Sequence, residues 1–329
     1  MKVVCPRCGR PGYLTKVKVY GIHYMRVEHV ENGSRRVCYL GRDPGDLRRY
    51  IVAALGADGS HKVIRYAGGD FKIAELLRQR LESLCPSKCT FVEVFGGSGY
   101  MSQTVSRQKF TNIVYNDIDS TLTTLYKHVK ENPEALAAVL LMLPYSRSYN
   151  KIITRLLNEC RDFAYLATAA MAFYALNTSY FGQIRKGFAY GVKPAKNEAK
   201  AYTSKALAIL KYAESWRDVV IENLDFRDAI KKYDSERTVF YLDPPYVDRS
   251  EDYYGKPFTA DDLRDMATLL TQIRGKFLLK LDYKTYKHVS DILSGDRYKV
   301  EVFKRVLHMQ KVRGAPRDTW LLALVSNPR

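Results

Sequence analysis

The sequence predicts an α/β protein: a largely parallel sheet interrupted by one long helical stretch, with a small module of different texture ahead of it. Three observations carry that prediction. Phe91-Val92-Glu93-Val94-Phe95 is a β-branched and aromatic run that passes straight into Gly96-Gly97-Ser98-Gly99, the pattern of a buried strand turning into a helix. Strand-like runs lie on both sides of a helical middle that extends from about Thr121 to Ala213. Finally, Thr238-Val239-Phe240-Tyr241-Leu242 stops abruptly at Asp243-Pro244-Pro245-Tyr246, and two prolines fit a central strand only at its terminus, because proline cannot donate to the ladder.

Taken in order, residues 1–50 place Val17, Val19, Tyr20, Tyr24, Val27 and Val30 among Gly, Arg and Cys, which predicts short strands and turns. The α/β pattern begins near Gly59. A helix is expected from Met101 and a second strand over Asn112–Tyr115. After the helical middle, strands return at Val219–Ile221, Thr238–Leu242, Phe277–Leu279 and within the last thirty residues. Phe163 to Ile184 is a run of 22 uncharged residues, but Thr168, Asn177, Thr178, Ser179, Gly182 and Gln183 lie in it. It therefore reads as a buried helix ending near Asn177 rather than a membrane span. The divisions that follow are a module over 1–50, a sheet domain over 59–134 and 216–329, and a helical insertion over 135–215.

With 329 residues and 46% hydrophobic content, a sizeable core is assured and global disorder is excluded. The net charge of +18 is unevenly placed: +7 in residues 1–50, +6 in 185–211, +7 in 275–329, and −2 in everything else. Basic blocks around a neutral body point to a polyanionic partner. Six cysteines are too few for a disulfide scaffold, and Met1-Lys2-Val3-Val4-Cys5 is not a secretory signal, so a reducing, cytoplasmic setting is expected.

Two constellations carry chemistry. The glycine turn 96–99 lets the backbone bend tightly and a ligand approach the main chain, although such turns also serve packing alone. Asp117 closes the next strand 18 residues after Gly99, where an acid can bind a ribose hydroxyl pair. The third glycine of a dinucleotide fingerprint is missing, with Arg107 in the following helix instead, which favours a ribose-bearing cofactor without phosphates. In the second constellation the prolines stiffen the backbone and fix Asp243 and Tyr246 at the carboxyl end of the sheet. The Asp243 carboxylate and the Pro244 carbonyl form a rigid acceptor pair for an exocyclic amino group, and Tyr246 can stack on the ring that bears it.

At these residues the chain resembles the Dam-like adenine-N6 DNA methyltransferases, which use S-adenosylmethionine. Ile64-Arg65-Tyr66-Ala67-Gly68-Gly69 resembles the family's amino-terminal cofactor segment, Phe91–Tyr100 its glycine turn, and Asn116-Asp117-Ile118-Asp119 its ribose-binding strand end. Asp243–Tyr246 resembles its catalytic motif, and the Phe173–Gly182 stretch resembles the opening of its DNA-recognition part. Coverage runs from about Val63 to the C terminus, in the family's order. The resemblance implies a Rossmann-like methyltransferase sheet with a target-recognition insertion. It implies that Tyr66, Gly68 and Gly69 pack on the cofactor, that Phe95, Gly97 and Gly99 line its methionine end, and that Asp117 holds its ribose. Asp243, Pro244, Pro245 and Tyr246 would form the catalytic block, with Asp243 between cofactor and flipped base. One departure stands out: Asp70 occupies the position where the family usually has Lys, with Lys72 two residues on.

The expected reaction is methyl transfer to the N6 amino group of adenine in double-stranded DNA. N4-cytosine or RNA base methylation needs the same clamp, and Asp70 motivates a degenerate DNA-binding protein as the reading from another class. Arg185, Lys186 and Lys193 in the insertion, with Lys311, Arg313 and Arg317 in a loop between two terminal strands, are the candidate DNA contacts. Whether a cognate restriction enzyme is a partner is left open by one chain. Cys5-Pro6-Arg7-Cys8-Gly9 has the spacing of a zinc knuckle, making residues 1–50 a zinc-ribbon-like module. Cys5, Cys8, His29 and Cys38 are the candidate set for a structural Zn2+, with His23 an alternative to His29, and Cys85 and Cys89 an alternative pair.

Overall fold

The computed structural model describes residues 2–4, 11–31, 34–42, 63–66, 73–159, 165–183, 187–190, 197–247, 258–306 and 319–327. Its amino-terminal part is a four-stranded antiparallel meander of β1 (Lys2–Val4), β2 (Pro11–Val19), β3 (Ile22–Glu31) and β4 (Ser34–Arg42). The strands are longer than the sequence predicts, nine and ten residues for β2 and β3. Their pairing runs unbroken up to the two-residue turn Tyr20-Gly21, from Tyr13–Glu28 to Val19–Ile22. Leu14, Met25 and Val27 are buried on one face. On the other, Glu28 is held by Arg26 and Arg35, whose guanidinium groups keep its carboxyl below the usual range.

The larger sheet has seven strands: β5 (Cys89–Glu93), β6 (Phe110–Asn116), β7 (Val219–Glu222), β8 (Thr238–Leu242), β9 (Lys276–Asp282), β10 (Lys299–Val306) and β11 (Thr319–Ser326). Their spatial order is β10-β11-β9-β8-β5-β6-β7. The five strands from β9 to β7 are parallel, and β11 runs antiparallel to both its neighbours. From β5 the chain steps outward through β6 to β7, then returns to β8 on the other side of β5. The strand order therefore reverses between β5 and β8, and the crevice at their carboxyl ends is where open α/β sheets bind ligands.

Helices cover both faces. α1 (Ala74–Leu84) and the short α2 (Tyr100–Thr104) flank β5 in sequence, and among the described residues five α-helices separate β6 from β7: α3 (Ser120–Glu131), α4 (Pro133–Met142), α5 (Arg147–Glu159), α6 (Leu166–Thr178) and α7 (Glu198–Trp216). α8 (Phe226–Tyr233), α9 (Ala260–Gln272) and α10 (Tyr283–Lys287) follow. Several begin where the sequence supplies a cap: Asp119 accepts from the Thr121 N–H, Asn197 from that of Lys200, and Thr259 and Asp262 form a reciprocal capping box. Phe91, Tyr115, Tyr241 and Leu278 face a core shared with α1 and α3–α7; Val92, Phe240, Leu242 and Leu279 face a second, shared with α8 and α9. Each large side chain fully buried in this way contributes about 1.5–3 kcal/mol.

α6 ends at Thr178, close to the expected stop at Asn177, and among the described residues no helix is long and apolar enough to cross a membrane. Cys85 and Cys89 require a correction. They are joined in a disulfide across the turn from α1 to β5, their Cα atoms 6.0 Å apart. Three intervening residues turn the chain tightly enough to bring them within bridging range, so they are not an alternative pair of metal ligands.

Candidate active site

The turn after β5 is moulded by aromatic rings. Gly97 and Gly99 have φ of +49° and +61°, and a Cβ on Gly99 would lie 2.5 Å from the Trp216 ring. Trp216, at the end of α7, stacks on Tyr126 of α3 with centroids 4.1 Å apart, and both meet Tyr115 of β6 edge-on. Two of these rings also hold the loop by hydrogen bonds. The Tyr115 hydroxyl donates to the Gly97 carbonyl at 3.0 Å and the Tyr126 hydroxyl to the Ser98 carbonyl at 2.5 Å. Beneath the turn, the buried Glu93 carboxylate accepts from the Ser102 N–H at 2.8 Å and its hydroxyl at 2.5 Å, pinning α2 to the end of β5.

Asp117 closes the other side of the turn. Its carboxylate accepts the Gly97 N–H at 2.7 Å and the Asp119 N–H at 2.8 Å, one on each oxygen. Each oxygen keeps a second lone pair for a hydroxyl donor. The side chain is 9% exposed, and burial together with the neighbouring Asp119 charge raises its pKa to about 7, with the two N–H groups working against that rise. Asn116 ties the same edge together, donating to the Val94 and Leu224 carbonyls at 2.9 and 3.1 Å and accepting from the Leu224 N–H.

Tyr66 stands over the turn, since a Cβ on Gly97 would approach its ring to 2.7 Å. The segment carrying it is held by the helical stretch. Asn177 Oδ1 accepts from the Arg65 N–H at 3.1 Å and from Lys205 Nζ at 2.7 Å, and the Arg65 guanidinium pairs with Glu198. Phe95 takes another direction: its ring lies 5.7 Å from both Phe226 and Phe258, on the second core.

Across the crevice, β8 delivers Asp243. The Val94 N–H donates to the Tyr241 carbonyl at 3.0 Å, which sets the ends of β5 and β8 side by side. Pro244 is buried, while Pro245 and Tyr246 are half-buried. Asp243 Oδ2 lies 2.5 Å from Lys280 Nζ, an ammonium supplied by β9. Tyr66, Gly97, Gly99 and Asp117 thus converge on one side of the switch point and Asp243 closes the other.

Residues 66–309 match the D12 class of N6 adenine-specific DNA methyltransferases, about three-quarters of the chain. The chain belongs to that family. It is accordingly an adenine-N6 DNA methyltransferase with S-adenosylmethionine as methyl donor and DNA as substrate. No curated protein matches the sequence. The methyltransferase's seven-stranded sheet is the Rossmann-like fold that the resemblance implies. The residues present fit the cofactor at one point: the buried Asp117 carboxylate, with unused acceptor capacity on both oxygens, suits a ribose hydroxyl pair.

Several expected site residues lie outside the described residues: Cys5, Cys8, Gly68, Gly69, Asp70, Lys72, Arg185, Lys186, Lys193, Lys311, Arg313 and Arg317. His29 is buried on β3 and Cys38 is half-buried on β4. Among the described residues no group of three or more His, Cys, Asp or Glu is placed to hold a metal. Sequence reasoning missed Glu93, Asn177 and Lys280. For Glu93 and Lys280 a signal existed, a lone charge inside an apolar strand; Asn177 is an amide in an uncharged helix and announces nothing.

Proposed function

We propose that Asp243 and Pro244 clamp the target amino group while Tyr66, Gly97, Gly99 and Asp117, with Gly68 and Gly69, hold the methyl donor. When bound, the cofactor supplies a methyl group already activated by its sulfonium. The enzyme's residues therefore have mainly to position the nucleophile. The adenine amino lone pair is delocalised into the ring. Accepting both N–H bonds, the Asp243 carboxylate and Pro244 carbonyl draw that nitrogen towards tetrahedral geometry and stabilise the positive charge that develops on it. The target is buried in a duplex, so the base is flipped into the crevice and stacks on Tyr246, at a cost of a few kcal/mol. The observation that carries this reading is the position of Asp243, at the strand-order reversal beside the glycine turn.

Phosphate contacts offset the flipping cost. Residues 135–215 are the target-recognition insertion, reaching DNA through Arg185, Lys186 and Lys193, and Lys311, Arg313 and Arg317 add contacts from between β10 and β11; residues 59–134 and 216–329 form the catalytic domain. Residues 1–50 form a module with Zn2+ on Cys5, Cys8, His29 and Cys38. The β3–β4 register supports it, putting His29 and Cys38 two residues apart along one face. Metal analysis of the purified protein giving no zinc would remove that module from the account. For the clamp, Asp243→Ala should abolish transfer of labelled methyl groups to DNA while cofactor binding stays measurable. Normal methylation by that variant would place the active site elsewhere.

A further inference from the structure

Strand β9, next to β8, reads Lys276-Phe277-Leu278-Leu279-Lys280-Leu281-Asp282, and its second lysine is 1% exposed. A lysine in an apolar strand is costly, because the ammonium loses its hydration and must be paired. Register explains where it points. Leu242 pairs with Leu279 in the parallel ladder, so Asp243 and Lys280 are the next neighbours, and Lys280 shares the face of Leu278 and the first core. The ammonium meets Asp243 Oδ2 at 2.5 Å, and the carboxylate it holds is 21% exposed. The pair is thus asymmetric: its cation is sealed in the sheet while its anion opens towards the crevice. One strand further along this row, Leu324 separates Lys280 from Glu301, which is engaged by Arg80 at 2.8 and 3.0 Å.

We propose that Lys280 is a positioning residue for methyl transfer: its buried ammonium holds the Asp243 carboxylate in one orientation at the carboxyl end of β8. The proposal rests on the reading of Asp243 as the amino-group clamp. Without Lys280 the acceptor would lose the ammonium that meets its Oδ2; with it, the acceptor is set before the base arrives. The proline pair fixes the backbone of the clamp and Lys280 fixes its side chain.

The test compares Lys280→Met and Lys280→Gln with the full-length wild type. Both variants remove the buried charge and leave a partly exposed carboxylate that water can solvate, so the fold is expected to survive. Each should lose about a hundredfold in kcat at saturating DNA and cofactor, the scale of a small misplacement of a reacting group. KM for DNA and the Kd for S-adenosylmethionine should stay within about threefold, since neither ligand-binding surface is altered. A purely structural role would instead lower the melting temperature and shift every parameter. Asp243→Asn should be inactive and less stable than wild type, and adding Lys280→Met should restore the melting temperature without restoring methylation. Wild-type kcat in either folded Lys280 variant overturns the proposal, as does failure of both to fold, which would make Lys280 a folding residue. If Asp243→Asn itself methylates normally, the clamp reading falls, and the two failures are thereby told apart.

Discussion

Asp117 and Asp243 stand on opposite sides of the switch point and are held in opposite ways. Asp117 is buried and faces the like charge of Asp119, which lift its pKa to about 7 against the two backbone N–H groups that answer it. Asp243 is answered by a full buried charge, the Lys280 ammonium. A carboxylate that must accept hydroxyl hydrogen bonds from a ligand needs spare acceptor capacity and tolerates a raised pKa. One that must accept from an amino group gathering positive charge has to be held in place, and the Lys280 ion pair does that. The two sites share a residue type and differ in what holds the carboxylate, backbone N–H groups at Asp117 and a buried side-chain cation at Asp243.

Breaking the Asp243 side should have the largest effect. Asp243→Ala removes the clamp and the carboxylate that the buried Lys280 ammonium meets, so at least about a thousandfold loss of methyl transfer is expected together with some 3–5 kcal/mol of stability. Methylation assays and urea denaturation measure the two separately. Gly99→Ala should cost about 2–4 kcal/mol, because its Cβ would enter the fully buried Trp216 ring at a positive φ. Retention of wild-type stability would show that the turn is less tightly moulded than described.

The Asp117 side should respond to pH. Ribose hydroxyls donate to the ionised carboxylate, so with a pKa of about 7 cofactor affinity should rise roughly tenfold from pH 6 to pH 8. In Asp117→Asn the affinity should be weak and flat over that range, measured by calorimetry. The effect on stability has the opposite sense. The folded-state pKa lies above the unfolded one of about 3.9, so the folded state holds more protons between about pH 4 and pH 7. This group's contribution to stability is therefore present at low pH, falls as pH rises through that window and levels off above it. The smallest effect should come from Asp119→Ser. It keeps a helix cap and removes the like charge, moving the midpoint of the affinity titration downwards. An unmoved midpoint would leave burial as the whole cause.

Much of this was legible in the residues. The strand–glycine–helix passage at Phe91–Tyr100, the acid closing the next strand and the proline-stiffened strand end each follow from a local physical requirement, and each of these elements is found. The amino-terminal strands came out longer than predicted because their pairing continues to the Tyr20-Gly21 turn, a property of neighbouring strands rather than of either alone. Net charge misled at Lys280. It belongs to the +7 block read as a DNA footprint, yet it lies 1% exposed against Asp243. A charge count carries no burial, and the Asp243–Lys280 pair appears only when β8 and β9 are set in register. Asn177 holding Arg65 across 112 residues is likewise a product of folding, invisible to spacing.

The most direct test of the account is nucleoside analysis of unmethylated duplex DNA incubated with the full-length protein and S-adenosylmethionine. The account predicts N6-methyladenine, formed by the wild type and missing with Asp243→Ala. N4-methylcytosine, or no methylated base from a folded protein that binds both DNA and cofactor, would contradict it.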